Sequence, residues 1–319
     1  MGFGGKVVVH ENSIAPDMIS RISKRLENGF VELTPHNSMR VVFQNDIKLG
    51  ARHICELIQT AENYVVGDIV QLLDDGLELP SADVVIGGFP CQDFSHAGKR
   101  QGLQSSRGSL YKAFVRVVER TKPRFFVAEN VYGLLTMKGN PIDEIVGDFE
   151  ALGYTVEYQV VDCQEHGIPQ TRKRVIIRGA LDPLKRLTKG WSTITRNKIR
   201  CPVRCYLRHL SEPSESSDLS QRLYSKCKRL GKKVQGQKAI DEDEFSMTIR
   251  SEHHGNIEFR RHGGENERRL TLRECGLIQT FPPEFVFSTG QHCSEYKYIG
   301  NAVPPLLGYL IADKIYQIW

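Results

Sequence analysis

Continuous runs of Val, Ile and Phe, each followed by a segment of helical periodicity, constrain the first 180 residues more than any other feature. "KVVVH" precedes "APDMISRISKRLENG", "MRVVFQND" precedes "LGARHICELIQTA", and "ADVVIGGFP" comes before "GSLYKAFVRVVERTKP". "RFFVAENV" leads into "NPIDEIVGDFEALGY", followed by "TVEYQVVDC" and "RVIIRGA". Strands that are apolar without alternation are buried on both faces, as in a parallel sheet covered by helices. Their alternation with helices predicts a doubly wound, Rossmann-like α/β domain. Beyond residue 184 the pattern dissolves into a basic region and the Ser-rich stretch "SEPSESSDLSQ". It returns in "LTLRECGLIQTF" and in the terminal "VPPLLGYLIADKIYQIW", a helix opened by prolines. The expected organisation is a large domain over 1–184, completed by 295–319, with a smaller domain over 185–294.

A chain of 319 residues can bury a large core. No apolar run is long enough to span a membrane, and "MGFGGKVVVHENS" is no signal peptide. The eight cysteines therefore read as free thiols in a reducing cytoplasm. "CPVRC" (Cys201, Cys205) lacks a second ligand pair at zinc spacing, and no metal is expected. His253 and His254 read as loop or partner-contacting residues for the same reason. The net charge of +5 is modest, but Lys and Arg crowd residues 184–233 and the stretch "FRRHGGENERR". Such crowding suits a polyanionic partner or a solvated basic surface.

In a doubly wound sheet, ligands bind outside the carboxyl ends of the strands. Asp46, Asp68, Cys91 and the pair Glu129–Asn130 all fall at such ends, so the fold would gather them in one crevice. Each strand-end acid has a second reading as the cap of the next helix. Cys91 follows Pro90 on the loop leaving "DVVIGGF", away from the aliphatic surroundings of a structural cysteine.

The order of motifs resembles the DNA (cytosine-5) methyltransferases. "GGFPCQDFSHAGKRQGL" is similar to that family's Pro-Cys nucleophile loop, "SSRGSLY" to the segment after it, and "AENVYGL" to its Glu-Asn-Val motif. "HGIPQTRKRVIIRG" resembles its Gln-x-Arg-x-Arg strand, and "RRLTLRECGLIQTFP" and "YIGNAVPP" its last two motifs. The resemblance implies methyl transfer from S-adenosylmethionine to C5 of a cytosine in double-stranded DNA. It implies Cys91 as nucleophile toward C6, Glu129 on the N3 edge, and Arg174, with Arg172 beside it, on the base O2 or a phosphate. Glycines 87 and 88 would let the chain turn tightly before the nucleophile. For the cofactor it implies Asp46 at the ribose, Asp68 at the adenine amino group, a wall of Phe89 and Leu110, and closure by Asn301 and Val303. Residues 185–294 would then read the target. The implied setting is restriction–modification, with a cognate endonuclease as companion and a monomer as the default state.

The front of the chain departs from the family pattern. A strand and a "Phe-x-Gly-x-Gly-Gly" loop are expected roughly twenty residues before Asp46, where "RISKRLENGF" stands instead. Two expectations follow: Met1 lies within that loop and "MGFGG" is its remnant, or "KVVVH" supplies the first strand with "HENS" as an unusual loop. The rivals are a tRNA-methylating relative and an inactive DNA-binding one. The loop "GFPCQDFS" and the absence of "CFT" disfavour the first; Cys91, Glu129 and Arg174 disfavour the second.

Overall fold

The computed structural model of the chain describes residues 7–35, 39–57, 63–90, 109–181, 199–224, 240–251, 259–262, 266–287 and 292–318. Strands β1 (Val7–His10), β2 (Ile22–Arg25) and β3 (Phe30–Leu33) form an antiparallel sheet in the order β1-β3-β2. β4 (Gln44–Asp46) and β5 (Tyr64–Val66) pair in parallel and lead into helices α1 (Leu49–Leu57) and α2 (Ile69–Asp74). The main sheet, ordered β6-β7-β10-β8, contains β6 (Val84–Gly88), β7 (Phe125–Val131), β8 (Tyr154–Asp162) and β10 (Lys173–Leu181). Helices α3 (Ser109–Thr121) and α4 (Pro141–Ala151) flank β7 in sequence, and the short β9 (Gln170–Thr171) precedes β10. The later elements are α5 (Arg204–Leu207), α6 (Leu219–Arg222), β11 (Ser246–Met247), the hairpin β12 (Phe259–His262) and β13 (Asn266–Arg269), α7 (Leu272–Ile278), α8 (His292–Asn301) and α9 (Pro305–Ile318).

The period of two along the main strands divides the core into layers. Phe126 and Ala128 of β7, with Val175 and Ile177 of β10, pack against Tyr111 and Val118 of α3 and Ile145 and Phe149 of α4. Phe125, Val127 and Ile176 point the other way, onto Val7, Val9, Val31 and Leu33 and onto Leu307 and Ile311 of α9. The opposite face of the N-terminal sheet, Val8 and Phe30, enters a second core with Tyr206, Leu277, Phe287 and Tyr296. This small sheet is thus apolar on both faces and joins two cores.

Several expectations are corrected. "APDMISRISKRLENG" is not a helix: it folds as a 3-10 turn over Pro16–Arg21, then β2, then a tight turn. Asn28 (φ 56°) and Gly29 (φ 75°) are both left-handed there, which is what a two-residue hairpin turn requires. "KVVVH" pairs antiparallel with β3 and not with β4, so it does not head the main sheet. Among the described residues, β4 and β6 each keep one edge without a strand partner. Only β6 and β7 of the main sheet run parallel; β10 is antiparallel to both β7 and β8. The short connection between β8 and β10 favours this, since a parallel pair needs a crossover of a dozen residues or more. Gly87 and Gly88 do not turn the chain; they lie within β6. A Cβ on Gly87 would stand 2.5 Å from the Phe114 ring, so the glycine gives that ring its place.

Gly167 adopts φ +77°, and a Cβ there would lie 2.3 Å from the backbone oxygen of Ser13. Gly167→Ala therefore combines backbone strain with a collision against the N-terminal segment. It should cost about 2 kcal/mol or more in urea unfolding; an unchanged midpoint would show that the segment yields freely.

Candidate active site

The register of three strands builds the centre of the site. Gly88 of β6 pairs with Glu129 of β7, and Ile176 of β10 faces Glu129 from the other side. Arg174 stands two residues before Ile176, hence on the same face and diagonal to Glu129. Their side chains meet: Arg174 Nε lies 2.7 Å from Glu129 Oε1, with both side chains largely buried. Among the described residues Glu129 Oε1 has no aligned hydrogen bond beyond this ion pair. A buried, under-satisfied carboxylate oxygen is a feature of sites more than of cores. Cys91 and the loop 91–108 lie outside the described residues, and Cys91 follows Gly88 by three positions.

Alternate residues of the segment 170–174 are buried, while Thr171 and Lys173 are exposed. Gln170 Nε2 donates to Ile278 O (3.1 Å) and to Gln279 Oε1 (2.6 Å). Arg172 Nη1 donates to Ile249 O (3.0 Å), and its Nη2 to Gly300 O (3.1 Å) and Ala302 O (3.0 Å). Burial, and next the neighbouring Arg174, push the Arg172 pKa down to about 10, which keeps it charged at neutral pH. Arg172 thus fastens β10 to the chain after α8, and its donors face carbonyls, whereas Arg174 meets Glu129. Asn130 forms a further clamp: its Nδ2 donates to Phe89 O (3.0 Å), while its Oδ1 accepts from Val131 N–H (2.8 Å). It fixes the backbone two residues before Cys91.

A cleft of about 1860 Å³ runs past this centre, lined by Asp46, Phe89, Leu110, Glu129, Arg172, Arg174 and Asn301. Phe89 is buried against Tyr111 and Phe114, at 6.0 and 6.2 Å between ring centroids. Asp46 is exposed at the end of β4, and its Oδ1 accepts Lys48 N–H at 2.7 Å. Asp68 and Val303 are not among the lining residues. Asp68 caps α2, accepting Val70 N–H at 2.9 Å, and Val303 packs on the first core. An apolar wall with an exposed strand-end acid suits an adenosine-bearing cofactor, so the residues fit S-adenosylmethionine at that end.

Asn130, expected in the crevice beside Glu129, lines the cleft, while Tyr298 of the cleft and the buried clamp of Gln170 were not singled out by the sequence. All five residues of "QTRKR" are polar, so the sequence carried no period to mark Gln170 and Arg172 as the buried ones. The basic stretches also read differently in three dimensions. Arg268 is enclosed by Glu212 and Glu274, each contacted at 2.9–3.0 Å, and Arg269 is buried. Arg200 pairs with Glu244 at 2.8 Å, and Arg204 with Asp243. Residues 182–198 and 252–258, with Lys185, Arg186, Lys189, Arg196, Lys198, His253 and His254, lie outside the described residues. No described helix is long and apolar enough to cross a membrane.

Comparison with known proteins matches residues 25–317 to the family of C-5 cytosine-specific DNA methylases. The chain is 36% identical to the type II methyltransferase M.NgoFVII of Neisseria gonorrhoeae, over 91% of this chain and 84% of that one. It is 30% identical to M.BsuRI of Bacillus subtilis, over 91% and 70%. The S. pombe Dnmt2 methyltransferase shares the fold, with a TM-score of 0.63 at 18% identity over 87% of this chain and 91% of that one.

Removing the Arg172 fork would take this donor from Ile249 O and Gly300 O and leave Ala302 O with the longer bond from Gln279 Nε2 at 3.4 Å. Arg172→Met should lower stability by roughly 3 kcal/mol, read from the urea midpoint; a near-native midpoint would remove Arg172 from the tie.

Proposed function

The chain belongs to the C-5 cytosine-specific DNA methylases, and from that premise we propose that it methylates C5 of a flipped-out cytosine in a specific DNA sequence, with Cys91 as nucleophile. The observation that supports this most is the Glu129–Arg174 pair at the end of β7, beside the strand that leads to Cys91. Cytosine C5 is a poor nucleophile until a group adds to C6. A thiolate is the side chain best suited to that addition near neutral pH. As Cys91 Sγ bonds to C6, negative charge develops on the base. A proton held or shared by Glu129 at N3 offsets it. Arg174 keeps the carboxyl oriented and offers its remaining donors to O2 or a neighbouring phosphate. Arg172 and Gln170 act as positioning residues, and Asn130 holds the backbone from which the nucleophile loop departs.

S-adenosylmethionine, when bound, supplies the electrophilic methyl group. Asp46 would accept from its ribose hydroxyls, Asp68 would receive the adenine amino group, Phe89 and Leu110 would line the pocket, and Asn301 with Val303 would close it. After transfer, a base removes the C5 proton and Cys91 is eliminated, which restores the aromatic ring. The target is stacked inside a duplex, so the nucleotide must leave the stack to reach the cleft. We assign catalysis to residues 1–184 with 295–319, and target reading to 185–294. The relatives named type II methyltransferases support a restriction–modification setting with a partner endonuclease. One site suffices, so a monomer can act.

Methyl-labelled S-adenosylmethionine offered with duplex DNA and, separately, with tRNA tests the reading. Label should appear as 5-methylcytosine in DNA alone and vanish in Cys91→Ala; label in tRNA, or turnover by Cys91→Ala, would overturn it. Glu129→Gln should slow the single-turnover rate by about 10²–10⁴-fold while the thermal midpoint holds; a near-normal rate would reject its role at N3.

A further inference from the structure

Outside the cleft, one cluster of metal-ligating side chains gathers residues far apart in sequence. His10 ends β1, while Cys201 and Cys205 flank the start of α5. One ligand atom from each lies within 4.8 Å of the others. Sequence spacing shows the two cysteines but not the histidine, which comes from a strand about 190 residues earlier. We propose that His10, Cys201 and Cys205 form a zinc site that fastens the N-terminal sheet to the second core.

The donor set and its surroundings support this. Two thiol sulfurs and an imidazole suit zinc, whose bonds of about 2.3 Å to sulfur and 2.0–2.1 Å to nitrogen place tetrahedral ligands somewhat closer than they stand here. Small side-chain rotations would close that difference. Both sulfurs accept hydrogen bonds, as metal-bound thiolates do: Asn12 Nδ2 donates to Cys205 Sγ at 3.4 Å, and Ser13 Oγ lies 3.3 Å from Cys201 Sγ. Ser13 Oγ and Tyr206 Oη are 2.8 Å apart, which anchors that hydroxyl. Asn12 N–H donates to His10 Nδ1 at 3.2 Å, a bond that zinc would replace if it bound through that nitrogen.

Cys201 is fully buried, whereas His10 and Cys205 are half-exposed. Three protein ligands with one side open leave the fourth position to water. The proposal is independent of the methyltransferase reading, because it concerns the seam between the cores and not the cleft.

The test uses the full chain, purified with reductant and without a metal-affinity tag. Apoprotein prepared with a chelator is titrated with Co²⁺ and followed by absorption. One equivalent should give thiolate-to-cobalt charge transfer and tetrahedral d–d bands, zinc should abolish them, and zinc should raise the melting temperature of the apoprotein. Cys205→Ser, half-exposed and nearly isosteric, should lose the bands, and Asn12→Ala should weaken binding about tenfold. Cys55→Ser serves as the control and should change neither. Absence of the thiolate band in the wild-type chain would overturn the site, as would its persistence in Cys205→Ser.

Discussion

The parallel pairing of β6 with β7, and the antiparallel pairing of β10 across from it, is the constraint on which the site depends. A one-residue slip of either pair would turn Glu129 or Arg174 to the opposite face. What holds the register is packing. Phe125 and Phe126 are fully buried on opposite faces of β7, so a slip would exchange two cores at once. The ion pair between Glu129 and Arg174 need not stabilise the fold, since desolvating two charges offsets most of their attraction. Its value is orientation: a carboxyl and a guanidinium fixed by strands do not reorganise when substrate arrives.

That part of the molecule was legible in the sequence. The apolar runs at β6, β7, β8 and β10 are strands, and Glu129, Arg174, Asp46, Phe89, Leu110 and Asn301 border one cleft. The N-terminal region was misread for an identifiable reason. Met18, Ile19, Ile22 and Leu26 recur at helical spacing, but Asn28–Gly29 and the mostly apolar run "FVEL" follow directly. Asn-Gly ahead of a strand-like run is a hairpin signal, and here the turn chemistry overrode the 3.6-residue period. Propensity could not arbitrate, because β2 is stabilised by its partner strand and not by its own side chains.

The roles of the basic residues were illegible for a different reason. Charge counts along a sequence do not reveal which cations already have anions. Arg268 sits between two glutamates, one of which, Glu274, also closes the capping box of α7 with Thr271. This arginine organises the second core by linking a hairpin, a helix N-terminus and the loop carrying Glu212. Any polyanion contact by this stretch therefore has to come from cations other than Arg268 and Arg269 of the "ERR" run.

The same logic separates the two halves of the cleft. The half of the cleft that carries Glu129 and Arg174 rests on strands paired on both sides, since β7 lies between β6 and β10. The half that carries Asp46 rests on β4, paired among the described residues with β5 alone, and on the outer edge of β6. Ile86 of β6 is 46% exposed, although an apolar residue of a parallel strand is normally covered. In a doubly wound order the first strand lies centrally and covers such edges, whereas here Val7–His10 is committed to a sheet of its own. The rigidity of the site is accordingly uneven. Glu129 and Arg174 are held by two cores, while Asp46 stands at the end of a three-residue strand, fixed locally by the Asx turn to Lys48 and by the bonds of Asn45 to Val65 O and Gly67 O. The Glu129–Arg174 end of the cleft therefore is a preorganised frame, and a ligand seated at the Asp46 end would have to order it with its own binding free energy.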